Sequence, residues 1–201
     1  MESLNVFTAL RNIPAPVWAL QSASELSNAS EGGFGWNQNL AAVQRFSLRS
    51  RAEKANENDP KLKPYSILLI EDNIADVGLV REALMEHNVE ADLVVISDGD
   101  YAIQFIDNLD GQAGECPDLV ILDLNLPKRP GRDVLESIRK NSKCQEARVA
   151  ILSSSDAAED KADALKLGAH HYVRKPLRLA EFLDLGGFFK QMLAASRTKD
   201  A

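Results

Sequence analysis

The sequence has little cysteine and no long apolar run, and each shortage excludes a class of protein. Its 201 residues include two cysteines, Cys116 and Cys144, which have neither CxxC spacing nor a histidine cluster nearby. They give no case for a disulfide framework or a zinc site, so we expect a reducing, cytoplasmic compartment. No apolar run approaches the roughly 20 residues that span a bilayer, so no membrane segment is predicted.

The chain also has fewer basic than acidic residues. The chain has 23 Lys and Arg against 30 Asp and Glu, a net charge of -7. Non-specific binding to nucleic acid needs a basic face, so no nucleic-acid partner is expected. The hydrophobic content of 45% and charged content of 26% are typical of a globular protein.

Sustained periodicity is missing from residues 1–64. Apolar residues near the start are interrupted by Pro14 and Pro16, and the later part is dense in charge. We expect an N-terminal arm and linker that is largely disordered, a domain over residues 65–195 and a C-terminal tail over 196–201.

Within the domain, strand and helix patterns alternate. Apolar runs predict strands over 66–70, 91–96, 119–122, 148–152 and 171–174. Helical periods predict helices over 75–87, 101–109, 132–140, 157–167 and 179–194. This alternation predicts an α/β fold, a doubly wound, five-stranded parallel sheet with helices on both faces.

Acidic side chains follow two of these strands. Glu71 and Asp72 come after the first strand, and Asp123 comes directly after the third. Ligands bind outside the carboxyl ends of parallel strands, so we expect these carboxylates to meet there. Crowded carboxylates favour a cation, and Mg²⁺ prefers hard oxygen ligands. The sequence therefore predicts a Mg²⁺ site that includes Asp72, Asp123 and a loop carbonyl such as that of Asn125.

Other side chains at the same edge predict phosphoryl chemistry. Asp123 is the candidate nucleophile, because a carboxylate can attack phosphorus and form an aspartyl phosphate. Lys175, after the fifth strand, offers a positive charge to a phosphoryl oxygen, and Ser153, after the fourth, offers a hydroxyl. Pro176 follows Lys175 and suggests a cis peptide bond at that turn.

This set of residues resembles the receiver domain of bacterial two-component response regulators, over about residues 66–195. Its Asp-Leu-Asn-Leu-Pro and Ser-Ser-Ser-Asp segments look most like stand-alone receivers of the cyanobacterial phytochrome-partner type. The matching segments are Ile70-Glu71-Asp72-Asn73, Leu122-Asp123-Leu124-Asn125-Leu126-Pro127 with Gly131, Ile151-Leu152-Ser153-Ser154, and Tyr172-Val173-Arg174-Lys175-Pro176.

The resemblance implies a flavodoxin-like sheet with strand order 2-1-3-4-5 and a role for each site residue. Asp123 would accept the phosphoryl group and Lys175 would contact it. Ser153 and Tyr172 would form the switch pair. Glu71 and Asp72 would be the acidic pair of the metal site, with Asp123 and the Asn125 carbonyl completing it.

The same resemblance implies partners. The phosphoryl donor would be a sensor histidine kinase or a histidine phosphotransfer protein, and the output a downstream protein target. Weak self-phosphorylation from small donors and slow self-hydrolysis are expected, but not enzyme activity in the usual sense. Few residues follow Ala194, so we expect no helix-turn-helix output domain and an output through protein contact or phosphate relay. Homodimerisation is left undecided.

Two alternatives stay open. The first is an interaction module with the receiver fold that is never phosphorylated. The second is a phosphatase or phosphotransferase with an aspartate nucleophile. That class has its nucleophile on the first strand and a second aspartate two residues later, whereas here the strand is the third and that position is Asn125.

Overall fold

The computed structural model describes residues 43–48, 64–111 and 115–197, which form a six-stranded sheet with helices on both faces. The strands are β1 (Val43–Leu48), β2 (Tyr65–Ile70), β3 (Ala91–Ile96), β4 (Leu119–Leu122), β5 (Arg148–Ser153) and β6 (His171–Arg174). The helices are α1 (Ile74–Glu86), α2 (Gly99–Gly111), α3 (Gly131–Lys140), α4 (Ala158–Lys166), α5 (Leu179–Leu183) and α6 (Leu185–Arg197). In these ranges no helix is both long and apolar enough to cross a bilayer.

The predicted parallel sheet is confirmed. The strand order is β1-β3-β2-β4-β5-β6, and β2 to β6 run parallel. Leaving β1 aside, this is the order 2-1-3-4-5 implied by the resemblance. The inner strands β2 to β5 are largely apolar runs because helices cover them on both faces.

The core has two layers, one on each face of the sheet. Leu68 and Ile70 point to the layer shared with α2, α3 and α4, whereas Ile67 and Leu69 point to the layer shared with α1, α5 and α6. This alternation is the two-residue period of a strand. The apolar faces of the helices are buried in these layers through Val77, Val80, Leu84, Ile106, Leu109, Val134, Leu135, Ile138, Phe182, Phe189 and Met192.

Strand β1 departs from the prediction of a disordered arm. Val43–Leu48 pairs antiparallel with β3, from Val43 opposite Ile96 to Leu48 opposite Ala91. The prediction is wrong for this segment because the edge of β3 offers unpaired backbone groups that a further strand can satisfy. The remainder of the arm, apart from Pro64, lies outside the described residues.

The cysteines also depart from prediction. Cys116 and Cys144 form a disulfide with a Cα–Cα distance of 5.4 Å. Cys116 precedes β4 and Cys144 lies between α3 and β5, so neighbouring parallel strands bring both segments to the amino end of the sheet. Their spacing in sequence gives no sign of this, because the strand order alone makes them neighbours.

Candidate functional site

The carboxyl edge of the sheet gathers the predicted site residues. The backbone N–H of Asp123 donates to the Ile70 carbonyl at 2.9 Å, and that of Lys175 donates to the Ser153 carbonyl at 2.8 Å. Pairing between neighbouring strands thus continues to the residues just past their ends. As a result, the backbone of both charged residues is fixed by the sheet.

Three carboxylates meet at this edge as predicted. Oxygens of Glu71, Asp72 and Asp123 all lie within 4.8 Å of one another. Glu71 and Asp123 are 1% and 4% exposed, whereas Asp72 is open to solvent. Asn73 supports the arrangement, because its side chain accepts from Ala75 N at 2.9 Å to cap α1 and its N–H donates to Glu71 Oε1 at 3.1 Å.

Lys175 lies at the centre of the site. Its Nζ is 2.7 Å from Asp123 Oδ2, 2.7 Å from Glu71 Oε2 and 2.8 Å from Asp76 Oδ2. Burial would lower the pKa of Lys175, but hydrogen bonds to Asp123, Asp76 and Glu71 outweigh it and raise the pKa above its ordinary value. Lys175 therefore keeps its charge although it is largely buried.

Asp76 is the site residue to which sequence reasoning gave no role. It lies in the first turn of α1, four residues after Asp72. The available signal was its position, because an acidic residue in the first turn of this helix lies close in sequence to the acidic pair Glu71-Asp72. Asp76 is not among the residues at strand ends, because it reaches the site from a helix.

The site carries more negative than positive charge. Glu71, Asp72, Asp76 and Asp123 surround one lysine. Burial raises the pKa of Glu71 to about 7, although the ammonium group of Lys175 lowers it, and nearby Asp123 raises it further. A cluster of oxygen donors in which one carboxyl resists ionisation fits a divalent cation such as Mg²⁺.

The loop after β4 turns back over the site. The N–H of Asn125 donates to Asp123 Oδ1 at 3.0 Å, and its side-chain amide donates to Ser154 Oγ at 3.3 Å. The loops that follow β4 and β5 are thereby joined. Asn125 thus lies beside the candidate phospho-acceptor, where a backbone ligand was predicted.

The two predicted switch residues are near each other but not in the same environment. Ser153 is fully buried, and its Oγ accepts from Ser155 N at 3.3 Å. Tyr172 is half-buried, and its hydroxyl donates to the Ser155 carbonyl at 3.0 Å. Ser155 therefore contacts both residues.

The turn after β6 contradicts one prediction. No peptide bond in the described part of the chain is cis, so the bond between Lys175 and Pro176 is trans. The cis prediction was wrong because an X–Pro bond still favours trans by about 0.5–1 kcal/mol and this turn forms without the rarer isomer.

A doubly wound parallel sheet with carboxylates and a lysine at its carboxyl edge defines a class of signalling domain. The family model for the response regulator receiver domain matches residues 67–185, more than half of the chain. The chain belongs to this family, as its resemblance predicted. Receiver domains are in general phospho-acceptors and not enzymes.

Individual relatives refine this assignment. The chain is 33% identical over 136 residues to response regulator Rcp1 of Synechocystis sp., a match covering 65% of this chain and 88% of Rcp1. The crystal structure of the phosphorylated cyanobacterial phytochrome response regulator RcpA matches with a TM-score of 0.59 and 30% identity, over 66% of this chain and 96% of RcpA. The Mn²⁺-bound form of Rcp1 matches with a TM-score of 0.56 and 32% identity, over 63% of this chain and 92% of that one.

Proposed function

We propose that this chain accepts a phosphoryl group on Asp123 from a phosphohistidine of a sensor histidine kinase or histidine phosphotransfer protein. The observation that carries the proposal is the contact of buried Asp123 with Lys175 inside a cluster of carboxylates. A cytoplasmic location belongs to the proposal, because such donors present their phosphohistidine there. The description of RcpA as a phytochrome response regulator makes phytochrome histidine kinases the first donors to test.

The proposed reaction is an in-line transfer. A carboxylate oxygen of Asp123 attacks phosphorus, a P–O bond forms as the P–N bond breaks, and the imidazole leaves with the electron pair and takes a proton from solvent. Lys175 holds its positive charge 2.7 Å from Asp123, where it can pair with a transferred phosphoryl oxygen. The buried edge of the sheet fixes the direction of attack.

The carboxylates of Glu71, Asp72 and Asp123, with the Asn125 carbonyl, would hold Mg²⁺. Mg²⁺ when bound would neutralise charge on the phosphoryl oxygens. The crowding of carboxylates within 4.8 Å of one another supports this part of the proposal, as does the Mn²⁺ bound to the related Rcp1.

Phosphorylation is proposed to change the face formed by α4, β6 and the consecutive helices α5 and α6. A phosphoryl group adds close to two negative charges, which would draw the Ser153 hydroxyl towards it and let Tyr172 move inward from its bond to Ser155. The population would shift between two packings, and a downstream protein would bind one of them. Equal partner affinities of wild type and Tyr172→Ala in both phosphorylation states would rule this coupling out.

Apolar side chains beside the site suggest where the donor docks. Ile74 is 79% exposed and lies two residues before Asp76, and Leu177 is 94% exposed and lies two residues after Lys175. Since Asp76 and Lys175 are in contact, both apolar side chains border the site. Exposed apolar groups around a charged site fit a helical domain that presents a phosphohistidine between apolar residues.

The test of the proposed chemistry is the intact mass after incubation with Mg²⁺ and acetyl phosphate. Wild type should gain one labile phosphoryl group, and Asp123→Asn should gain none. Circular dichroism checks that the variant is folded. If folded wild type gains no phosphoryl group, the chain is an unphosphorylated interaction module.

A second test separates docking from chemistry. Leu177→Asp should slow phosphotransfer from a cognate histidine kinase at least tenfold, because the apolar contact that the docked kinase would bury is replaced by a charge. Its labelling by acetyl phosphate should be unchanged, because that donor carries no protein surface that needs to dock on Leu177. The matched control is Met85→Asp, because Met85 is also an exposed apolar residue but lies at the C-terminal end of α1, whereas Ile74 and Asp76 lie at its N-terminal end. Normal transfer from the kinase to Leu177→Asp would exclude this docking surface.

A further inference from the structure

The loop that carries Asn125 contains a turn that most residues avoid. Lys128 has a φ of 65°, and the N–H of Arg129 donates to the Pro127 carbonyl at 2.8 Å, two residues earlier. A three-residue turn with a positive φ at its centre is a rare γ-turn, and a side chain at that position adds to its cost. Strained backbone next to a functional site persists only where its surroundings hold it.

Asp98, two residues past the end of β3, holds this turn in place. The ammonium group of Lys128 forms an ion pair with Asp98, whose side chain is only 10% exposed. Asp98 is fixed independently, because its Oδ1 accepts from Tyr101 N at 3.0 Å and its carbonyl accepts from Ala102 N at 2.9 Å, both at the start of α2. The strained turn is therefore anchored to a rigid helix end.

The electrostatics of Asp98 agree with this geometry. Burial would raise the pKa of its carboxyl, but the hydrogen bonds from Lys128 and Tyr101 outweigh burial and hold the pKa below its ordinary value. The folded protein thus keeps a negative charge under the turn.

Backbone contacts bring the same two loops together. The N–H of Gly99 donates to the Pro127 carbonyl at 3.3 Å. A Cβ added at Gly99 would overlap the carbonyl oxygen of Arg129, so the two backbones touch without an intervening side chain. On the other side of the turn, Gly131 N donates to the Leu124 carbonyl at 2.9 Å, which closes the loop over Asp123.

We propose that Asp98 and Lys128 are positioning residues that hold the loop over residues 124–130 in the conformation that directs the Asn125 carbonyl to the metal. This inference rests on the proposed function, in which the carboxylate cluster and Asn125 bind a divalent cation. Neither residue contacts the phosphoryl group. Their effect reaches the metal only through the backbone of the loop.

The test measures Mn²⁺ affinity by electron paramagnetic resonance of free Mn²⁺. Lys128→Ala and Asp98→Asn should each raise the dissociation constant about tenfold, as removing an outer partner of a metal ligand commonly does. The Asp98→Asn variant keeps an oxygen to cap α2. The double variant should bind no more weakly than either single variant, because both remove the same pair. Lys128→Arg should restore affinity to within about twofold.

Arg129→Ala is the matched control, because it removes a positive charge one residue away. Arg129 pairs with exposed Asp100 at 3.0 Å and Asp133 at 3.5 Å, contacts of a kind that contribute little. Its Mn²⁺ affinity should equal that of wild type. Thermal unfolding of the metal-free variants separates a general loss of stability from a loss of metal affinity at unchanged stability.

The outcomes distinguish the two proposals. If wild type binds Mn²⁺ and Lys128→Ala binds it equally well, the positioning role is wrong and the metal site stands. Additive effects in the double variant would also overturn it. If wild type itself binds no Mn²⁺, the metal site of the proposed function fails first.

Discussion

At the scale of single residues, three carboxylates of the site contact the same lysine ammonium group. Lys175 contacts Asp123, Glu71 and Asp76, whereas Asp72 faces solvent. A bound metal ion or a phosphoryl group would change these contacts. The metal ion would add positive charge near the carboxylates, and the phosphoryl group would add an acceptor for Lys175. The ionisation of Glu71 reports on that balance of charge, because Lys175 lowers its pKa and Asp123 raises it.

Glu71 predicts how stability depends on pH in the metal-free protein. Its pKa in the folded state is about 7, against an ordinary value of 4.5, so the folded state holds a proton that the unfolded state has lost between these pH values. The stabilisation from this group is complete below pH 4.5 and is lost as the pH rises to about 7, by up to about 3 kcal/mol. Urea unfolding with EDTA should show this fall in wild type and a flatter curve in Glu71→Gln. Parallel curves would mean that Glu71 ionises normally.

Residue types identified most of the site, but not all of it. Glu71, Asp72, Asp123, Ser153 and Lys175 could be predicted because each lies at the end of a strand or just past it, and the parallel sheet brings strand ends together. The contact of a helical residue with Lys175 could not be predicted that way, since it depends on how α1 lies against the sheet. The ionisation of Glu71 depends on burial, which the sequence does not reveal.

At the scale of elements, β1 extends the sheet beyond the matched family region. Phe46 packs on the layer shared with α1, and the Arg81 guanidinium of that helix lies 3.8 Å from the centre of its ring. Ser47 Oγ donates to Asp92 Oδ1 at 2.9 Å. Apolar residues of β1 point to both faces and polar ones interrupt them, so neither a strict alternation nor a continuous apolar run predicts it. Four of the five parallel strands, β2 to β5, were predictable as apolar runs because they are largely buried, and β6 was predictable from its place after α4 in the alternation of helices and strands.

If β1 belongs to the folded domain, changes to its packed side should reduce stability. Phe46→Ala should lower the free energy of unfolding by about 1–2 kcal/mol, through lost apolar burial and a lost cation–π contact. Gln44→Ala, on an exposed position of the same strand, should change it by less than about 0.5 kcal/mol. Urea unfolding monitored by circular dichroism measures both. A Phe46→Ala midpoint equal to that of wild type would show that the packing of β1 contributes nothing to the stability of the sheet.

At the scale of the whole molecule, the two ends of the sheet carry different chemistry. The carboxyl ends of the strands hold Asp123 and Lys175, whereas the Cys116–Cys144 disulfide lies at the amino ends of β4 and β5. The segment that contains Cys144 has other anchors, because Asn141 accepts from Cys144 N at 3.0 Å and donates to the Ile106 carbonyl at 2.7 Å. Breaking the disulfide should therefore leave the local fold in place.

This separation predicts that reduction changes stability but not phosphorylation. Dithiothreitol should lower the free energy of unfolding by about 3.5 kcal/mol, because the bond closes a loop with a sequence separation of 28 residues. The rate of labelling by acetyl phosphate should stay within about twofold, since Asp123 lies at the opposite end of β4. A double variant, Cys116→Ser with Cys144→Ala, should match the reduced protein and ignore the reductant. If dithiothreitol leaves the unfolding midpoint unchanged, the cysteines are thiols in solution, as expected for a reducing compartment. If reduction slows labelling by acetyl phosphate, the two ends of the sheet are coupled.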